Sequence, residues 1–142
     1  MFFPAGDYKI TGNVVKLPRN ARIIGEGMDC TFITQSDTLT NGVLYIADSL
    51  QQLDVDIATN GASYPGNNYV SNLTLRHVNR TYDIVKMDMA SDVTFENVKF
   101  QNDWMTGDGA ASGAQAVKII STNPANLSTN IKFNNCEFHG HE

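Results

Sequence analysis

A short unit recurs along this chain and constrains its fold more than any other feature. Its clear copies are Asn72–Arg80, Asp92–Phe100 and Asn130–Phe138, and a looser copy covers Asn20–Gly25. In each clear copy apolar and polar residues alternate, and the phase slips at a two-residue polar corner before the alternation resumes. Successive side chains of a strand point to opposite faces, so the pattern predicts strand, corner and strand around one interior.

A third strand is predicted before each copy. An apolar-polar-apolar triplet stands at Val15–Leu17, Leu44–Ile46, Val85–Met87 and Val117–Ile119. Three short strands then form one rung of a coil, and rungs must stack because a single rung cannot bury its own apolar face. We therefore predict an all-β fold, a right-handed single-stranded parallel β-helix with about four rungs of three short strands and almost no helix.

The corners of the coil are expected to carry asparagine. Aligned without gaps, the copies place Gly25, His77, Asn97 and Asn135 in one corner column. Asparagine tolerates left-handed backbone angles and bonds to nearby backbone, so a stacked column of asparagines predicts a ladder. His77 is interpreted as a substitute within this ladder and not as a catalytic group.

Composition limits the partners of the chain. It has 142 residues, of which 42% are apolar and 18% charged, which fits one folded domain. A formal net charge of −5 with ten Lys plus Arg argues against nucleic acid as the main partner. No apolar run approaches the roughly 20 residues that span a bilayer, and the first residues do not resemble a signal peptide. The two cysteines share no metal or redox spacing, so we expect free thiols, no metal and no cofactor.

The first part of the chain resembles the pectate-lyase-like β-helix superfamily. The resemblance rests on the segment Phe3–Ile10, read as FPxGxY, and on the IxGxG stretch at Ile23–Gly27. It implies the β-helix fold and is weak for activity, because the superfamily includes pectinolytic lyases, hydrolases, phage tail spikes and non-enzymatic members. In relatives a capping stretch usually precedes FPxGxY. We therefore expect residues 1–142 to be a β-helix segment of a longer chain; the alternative is that partner subunits cover the ends of the coil.

Two carboxylates are candidates for catalysis. Asp103 and Asp108 fall in a long aperiodic stretch, Gln101–Ala114, beside Trp104, the only tryptophan. A flat aromatic ring for stacking on a sugar, together with an acid, would suit glycan chemistry. The alternative is that Asp108, between two glycines, belongs to a tight turn and that Trp104 packs its loop onto the coil.

The triplets predict a candidate ligand-binding column. If they stack in register, their central residues Lys16, Tyr45, Lys86 and Lys118 point outward one above another. Adjacent lysines repel, so the column suggests an anionic ligand such as a uronic or sialic polymer, or a nearby carboxylate such as Asp88. The alternative is that the lysines are solvated strand residues.

These features lead to three hypotheses. The first is a polysaccharide-recognising segment of a phage tail spike or a related host-surface glycan-binding protein, located in a virion tail or outside the cell, with polysaccharide as partner and a homotrimer among the expected assemblies. The second is a pectinolytic-type polysaccharide lyase or glycoside hydrolase. The third is a non-catalytic spacer of a trimeric fibre. Nucleic acid and membrane are not expected as partners.

Overall fold

The computed structural model describes residues 1–36, 42–47, 66–78, 82–102, 115–122 and 127–139. Every regular element in these ranges is a β-strand, as the alternation of the sequence predicts. In chain order the strands are β1 Phe2–Phe3, β2 Gly6–Ile10, β3 Val15–Lys16, β4 Arg22–Gly25, β5 Thr31–Gln35, β6 Leu44–Ala47, β7 Asn68–His77, β8 Val85–Asp88, β9 Ser91–Asn102, β10 Val117–Ile120, β11 Thr129–Asn134 and β12 Glu137–His139.

All strand pairs are parallel, and they form three faces of a coil. Face one consists of β3, β6, β8 and β10. The long strands β7 and β9 bend at a corner, so their first halves join β1, β4 and β11 in face two. Their second halves join β2, β5 and β12 in face three. The predicted right-handed parallel β-helix is confirmed. The four strands of face one mark its four rungs, and β1 and β2 precede them as one further strand on faces two and three.

Apolar side chains from the three faces stack inside the coil. Face two contributes Val70 and Phe95, face three contributes Leu75 and Phe100, and face one contributes Leu44, all at most 1% exposed. In the last rung Phe133 stacks on Phe95 of face two, and Phe138 stacks on Phe100 of face three. The apolar side chains of this rung are more exposed, with 46% for Ile119, 37% for Phe133 and 52% for Phe138. Each rung therefore covers the apolar surface of the one before it.

The second repeat copy lies earlier in the chain than the gapless alignment predicts. Val93 of β9 pairs with Asn68 of β7, and Val98 pairs with Leu73. The copy therefore begins before Asn68, and the predicted alignment of Asn72–Arg80 with Asp92–Phe100 was wrong. Its first inward residue is polar: Asn68 is buried and donates from Nδ2 to the Pro18 carbonyl at 2.7 Å. A polar residue at this inward position hides the apolar alternation that defines the other copies.

The asparagine ladder is confirmed, with one change of member. Asn72, Asn97 and Asn135 adopt positive φ angles of 55°, 52° and 50°. The Asn97 amide donates to Asn72 Oδ1 at 3.0 Å, and the Asn135 amide donates to Asn97 Oδ1 at 2.7 Å. The prediction that His77 belongs to this corner was wrong, because His77 lies at the end of β7 opposite Gln35 and Asn102.

A second corner column was not foreseen. Asn67 and Asn20 share a side-chain hydrogen bond of 3.4 Å, and the Asn130 amide donates to Asp92. All four residues have positive φ, between 48° and 58°. Short polar side chains that tolerate left-handed angles therefore mark both ends of the face-two strand.

Both cysteines are free, as predicted. Cys30 is exposed, whereas Cys136 is partly buried and packs against the apolar core. Burial raises the pKa of the Cys136 thiol. Cys136 therefore behaves mainly as a small apolar residue of the last rung.

Candidate functional site

The four triplets of face one stack in register, as the sequence predicts. Parallel pairing joins their central residues in the order Lys16, Tyr45, Lys86 and Lys118. Neighbouring strands lie about 4.8 Å apart, so these side chains form a continuous row on the outside of the coil. We call Lys16, Tyr45, Lys86 and Lys118 the outer row.

A cleft of about 420 Å³ opens over the outer row. Its volume lies within the range of about 300 to 1,000 Å³ that is typical of small-molecule sites in proteins. Three members of the outer row belong to its lining, together with residues at or just before the starts of β3, β6 and β8. The lining consists of Val14, Lys16, Gly42, Leu44, Tyr45, Tyr82, Asp83 and Lys86.

Backbone contacts hold the wall of the cleft that Tyr82 and Asp83 form. The amides of Val43 and Leu44 both donate to the Ile84 carbonyl, at 2.7 and 3.1 Å. A Cβ atom on Gly42 would lie only 2.2 Å from the carbonyl oxygen of Asp83. Glycine at position 42 therefore allows this wall to pack directly against the start of β6.

Tyr45 is the aromatic member of the outer row. Lys86 Nζ lies over its ring, 5.6 Å from the ring centroid, which is within the range of a cation–π interaction. Burial raises the pKa of the Tyr45 phenol above 10.0, and the charge of Asp88 raises it further. The phenol is therefore neutral near pH 7, so it presents an apolar ring face and a hydroxyl that donates and accepts hydrogen bonds.

One lysine of the outer row is paired with a carboxylate. Lys118 Nζ lies 3.8 Å from Asp83 Oδ2, while the other oxygen of Asp83 accepts a hydrogen bond from the Gln115 amide at 2.7 Å. The carboxylate that offsets the lysine repulsion is thus Asp83 and not Asp88. The Asp88 carboxylate instead accepts from the backbone amide and hydroxyl of Thr122.

The other two lysines have no acidic partner within the described ranges. Among the described residues, neither Lys16 nor Lys86 forms an ion pair, and both side chains are exposed. An ammonium group makes charge-assisted hydrogen bonds to carboxylates, which are stronger than neutral ones. Two ammonium groups on either side of an aromatic ring, with no carboxylate partner among the residues that the structure describes, suit a ligand with an apolar ring face and an acidic substituent.

The other predicted site residues lie outside the described residues. These are Asp103 and Asp108, the catalytic candidates, and Trp104, the candidate for stacking on a sugar. The described part of their stretch, Gln101–Asn102, is the end of β9 and pairs with β7. Their roles stay predictions.

Sequence reasoning found the outer row but missed the wall of the cleft. Gly42 and Asp83 each stand three residues before the outward residue of their triplet, Tyr45 and Lys86. Residues at the same distance from the triplet in stacked rungs lie beside one another. The alignment of the triplets could therefore have predicted that Gly42 and Asp83 are neighbours. Tyr82 could have been found by extending that register one residue further.

The described residues show neither a metal site nor a membrane span. Within them, no group of three or more His, Cys, Asp or Glu side chains is arranged to hold a metal ion. The same ranges contain no helix with the length and apolar character that crossing a bilayer requires.

Parallel strands on three faces, asparagine ladders at the corners and an external cleft define a β-helix of the pectate-lyase-like class. Residues 1–142 match the family model described as "Rhamnogalacturonase A/epimerase, pectate lyase-like". The chain belongs to this family, which places it among polysaccharide-active β-helices. No curated protein and no solved structure matches the chain.

Proposed function

We propose that this chain is the polysaccharide-recognising segment of a phage tail spike or a related protein that binds host-surface glycans. The observation that supports the proposal is the outer row, in which an aromatic ring lies between two lysines that have no ion pair within the described ranges and that line the cleft. The ligand is an acidic polysaccharide, such as a uronic or sialic polymer, whose carboxylates meet Lys16 and Lys86.

The charge distribution supports an acidic ligand. The chain carries a formal net charge of −5, yet three of the four residues of the outer row are lysines. A positive strip on an otherwise negative protein attracts polyanions locally, and the attraction weakens with added salt. The stacked rungs place the side chains of the outer row along one line. Such a line can contact successive sugar units of a polymer.

We further propose that the protein acts in a virion tail or outside the cell, where surface glycans are bound. A homotrimer is the assembly that we propose for such a fibre, and its polysaccharide partner would lie along face one of each copy.

Replacing Lys86 by glutamine is expected to weaken binding of an acidic polysaccharide about tenfold, because one charge-assisted contact is lost. Binding is measured by calorimetry on the intact protein, against bacterial surface polysaccharides and their carboxyl-reduced, neutral forms. Lys132→Gln is the matched control, since Lys132 is exposed on face two and should leave binding unchanged. Equal affinity of the wild type for acidic and neutral forms, or no binding at all, would falsify the proposal.

The family description favours a second candidate, a polysaccharide lyase or glycoside hydrolase of the pectinolytic type. In this case Asp103 and Asp108 act as acid and base beside Trp104. The intact protein should then release new reducing ends or unsaturated sugars from the polysaccharide, and Asp103→Asn or Asp108→Asn should lower the rate at least about a hundredfold. Cleavage that survives both substitutions excludes these carboxylates, and binding without cleavage leaves the recognition role.

A further inference from the structure

We propose that Tyr82 is a second ligand-contacting residue of the cleft and that buried His77 positions it. This inference rests on the proposed function, because it concerns how the cleft holds an acidic sugar. The ligand would then contact two aromatic rings, Tyr45 from the outer row and Tyr82 from the wall.

The first observation is the packing of Tyr82. Tyr82 belongs to the lining of the cleft, and its ring stacks on the imidazole of His77 with a centroid distance of 5.8 Å and an interplanar angle of 29°. His77 is 0% exposed, so one side of the Tyr82 ring is supported from inside the coil. A ring that is held in this way loses little conformational freedom when a ligand binds, which favours affinity.

The second observation is a polar row inside the coil. Gln35, His77 and Asn102 stand opposite one another in successive rungs at the end of face three, and each is at most 6% exposed. Two residues earlier in each strand the same face carries Ile33, Leu75 and Phe100, as an apolar core requires. Buried polar groups are costly unless they are hydrogen-bonded, so packing alone does not account for this polar row.

The polar row reaches the cleft at two points. The Gln35 amide donates from Nε2 to the carbonyls of Gly12 and Gly42, at 3.1 and 3.3 Å, and Gly42 belongs to the cleft lining. One rung further, His77 supports Tyr82. Gln35 and His77 therefore fix neighbouring parts of the cleft wall, which gives these buried polar residues a role as positioning residues.

The wall also complements the outer row chemically. Tyr82 adds an aromatic face and a hydroxyl to the cleft. Its neighbour Asp83 forms an ion pair with Lys118, so Lys16 and Lys86 are the ammonium groups that we propose to contact the ligand. A sugar with a carboxylate matches both features, because it has an apolar ring face and an acidic edge. A neutral sugar would use only the aromatic contacts.

The test is binding of a uronic-acid oligosaccharide to the intact protein and to its variants. Tyr82→Ala should weaken binding about tenfold with little change in the melting temperature. Tyr69→Ala is the matched control, because Tyr69 is a partly buried tyrosine on face two that donates to Glu96 Oε2 at 2.6 Å, away from the cleft. It should leave the affinity unchanged.

A second readout follows the rings directly. In wild-type protein with ¹³C-labelled tyrosine, the signals of Tyr45 and Tyr82 should shift when the oligosaccharide is added, while the signal of Tyr69 should not. His77→Gln should weaken binding several-fold and reduce the shift of the Tyr82 signal that the oligosaccharide causes, whereas a His77 that only stabilises the fold would leave both unchanged in the folded variant. The shift of the Tyr82 signal on ligand addition is measured on the wild-type protein. It therefore tests whether Tyr82 contacts the ligand even if a variant fails to fold.

The outcomes separate the two proposals. If the wild type binds the oligosaccharide and depends on Lys86, but the Tyr82 signal stays fixed and Tyr82→Ala binds normally, the role of Tyr82 is overturned and the proposed function stands. If the wild type binds neither the uronic-acid oligosaccharide nor the surface polysaccharides, both proposals are overturned. A shift of the Tyr82 signal with weaker binding by Tyr82→Ala supports both.

Discussion

Replacing Phe95 by alanine is expected to lower the free energy of unfolding by about 4 kcal/mol, the usual range for removing a buried aromatic ring. Phe95 is 0% exposed and belongs to the apolar core cluster. Its ring lies parallel to that of Phe133 in the next rung, at 5.3 Å, and edge-on to Phe100 at 5.4 Å. The alanine variant loses the apolar contacts and leaves a cavity between two rungs, so the loss exceeds the transfer energy of the ring alone.

Urea denaturation followed by circular dichroism measures this effect. Phe138→Ala serves as the control, because Phe138 is also a stacked phenylalanine but is 52% exposed. It should lower the free energy of unfolding by less than half as much as Phe95→Ala. Phe95→Leu, which keeps most of the volume, should fall between the two. Equal effects of Phe95→Ala and Phe138→Ala would contradict the assignment of Phe95 to the centre of the stacked core.

Replacing Gly25 by alanine should destabilise the coil by about 3 kcal/mol, at the upper end of the range for overpacking. A Cβ atom at this position would lie 2.2 Å from the Asn72 carbonyl oxygen and 2.8 Å from the Leu73 Cβ. Both contacts are with a fixed corner of the next rung, where Asn72 has a positive φ of 55° and accepts the ladder hydrogen bond of Asn97. The rungs must separate locally to admit the methyl group, which strains this ladder.

Gly27→Ala is the matched control for this substitution. The nearest atom to a Cβ at Gly27 is Cys30 Sγ, at 3.0 Å, and Cys30 is an exposed side chain that can rotate away. Gly27→Ala should therefore lower the free energy of unfolding by less than about 1 kcal/mol, as most surface substitutions do. A Gly25→Ala variant as stable as Gly27→Ala would contradict the close approach of the backbone at Gly25 to the corner at Asn72.

Much of the fold could be predicted because it follows from local patterns. Alternation in a triplet such as Val85–Met87 determines which side chain points outward, and parallel stacking of equal triplets brings Lys86 beside Lys118. The same reasoning identified Asn97 and Asn135 as corner residues, because a short polar side chain that tolerates positive φ is what such a corner requires. These conclusions needed no knowledge of distant contacts.

The register of β7 could not be predicted in this way. The gapless alignment relied on apolar alternation at Leu73 and Leu75, which resembles that at Val93 and Phe95. The tertiary structure pairs Val93 with Asn68, whose buried amide is satisfied by the Pro18 carbonyl at 2.7 Å. A hydrogen bond to a residue far away in sequence makes a polar inward position acceptable, and a local pattern does not contain that information.

By itself, the sequence determined the β-helix, its three-strand rungs, the corner asparagines and the outer row, since each depends on the residues of one rung and on the repetition of that rung. Only the tertiary structure decided that His77 lies inside the coil behind Tyr82, and that Asp83 pairs with Lys118 at 3.8 Å. The physical reason is that the cleft is formed between rungs. Its wall depends on which residues of successive rungs meet, and that register is set by packing and hydrogen bonds across the stack.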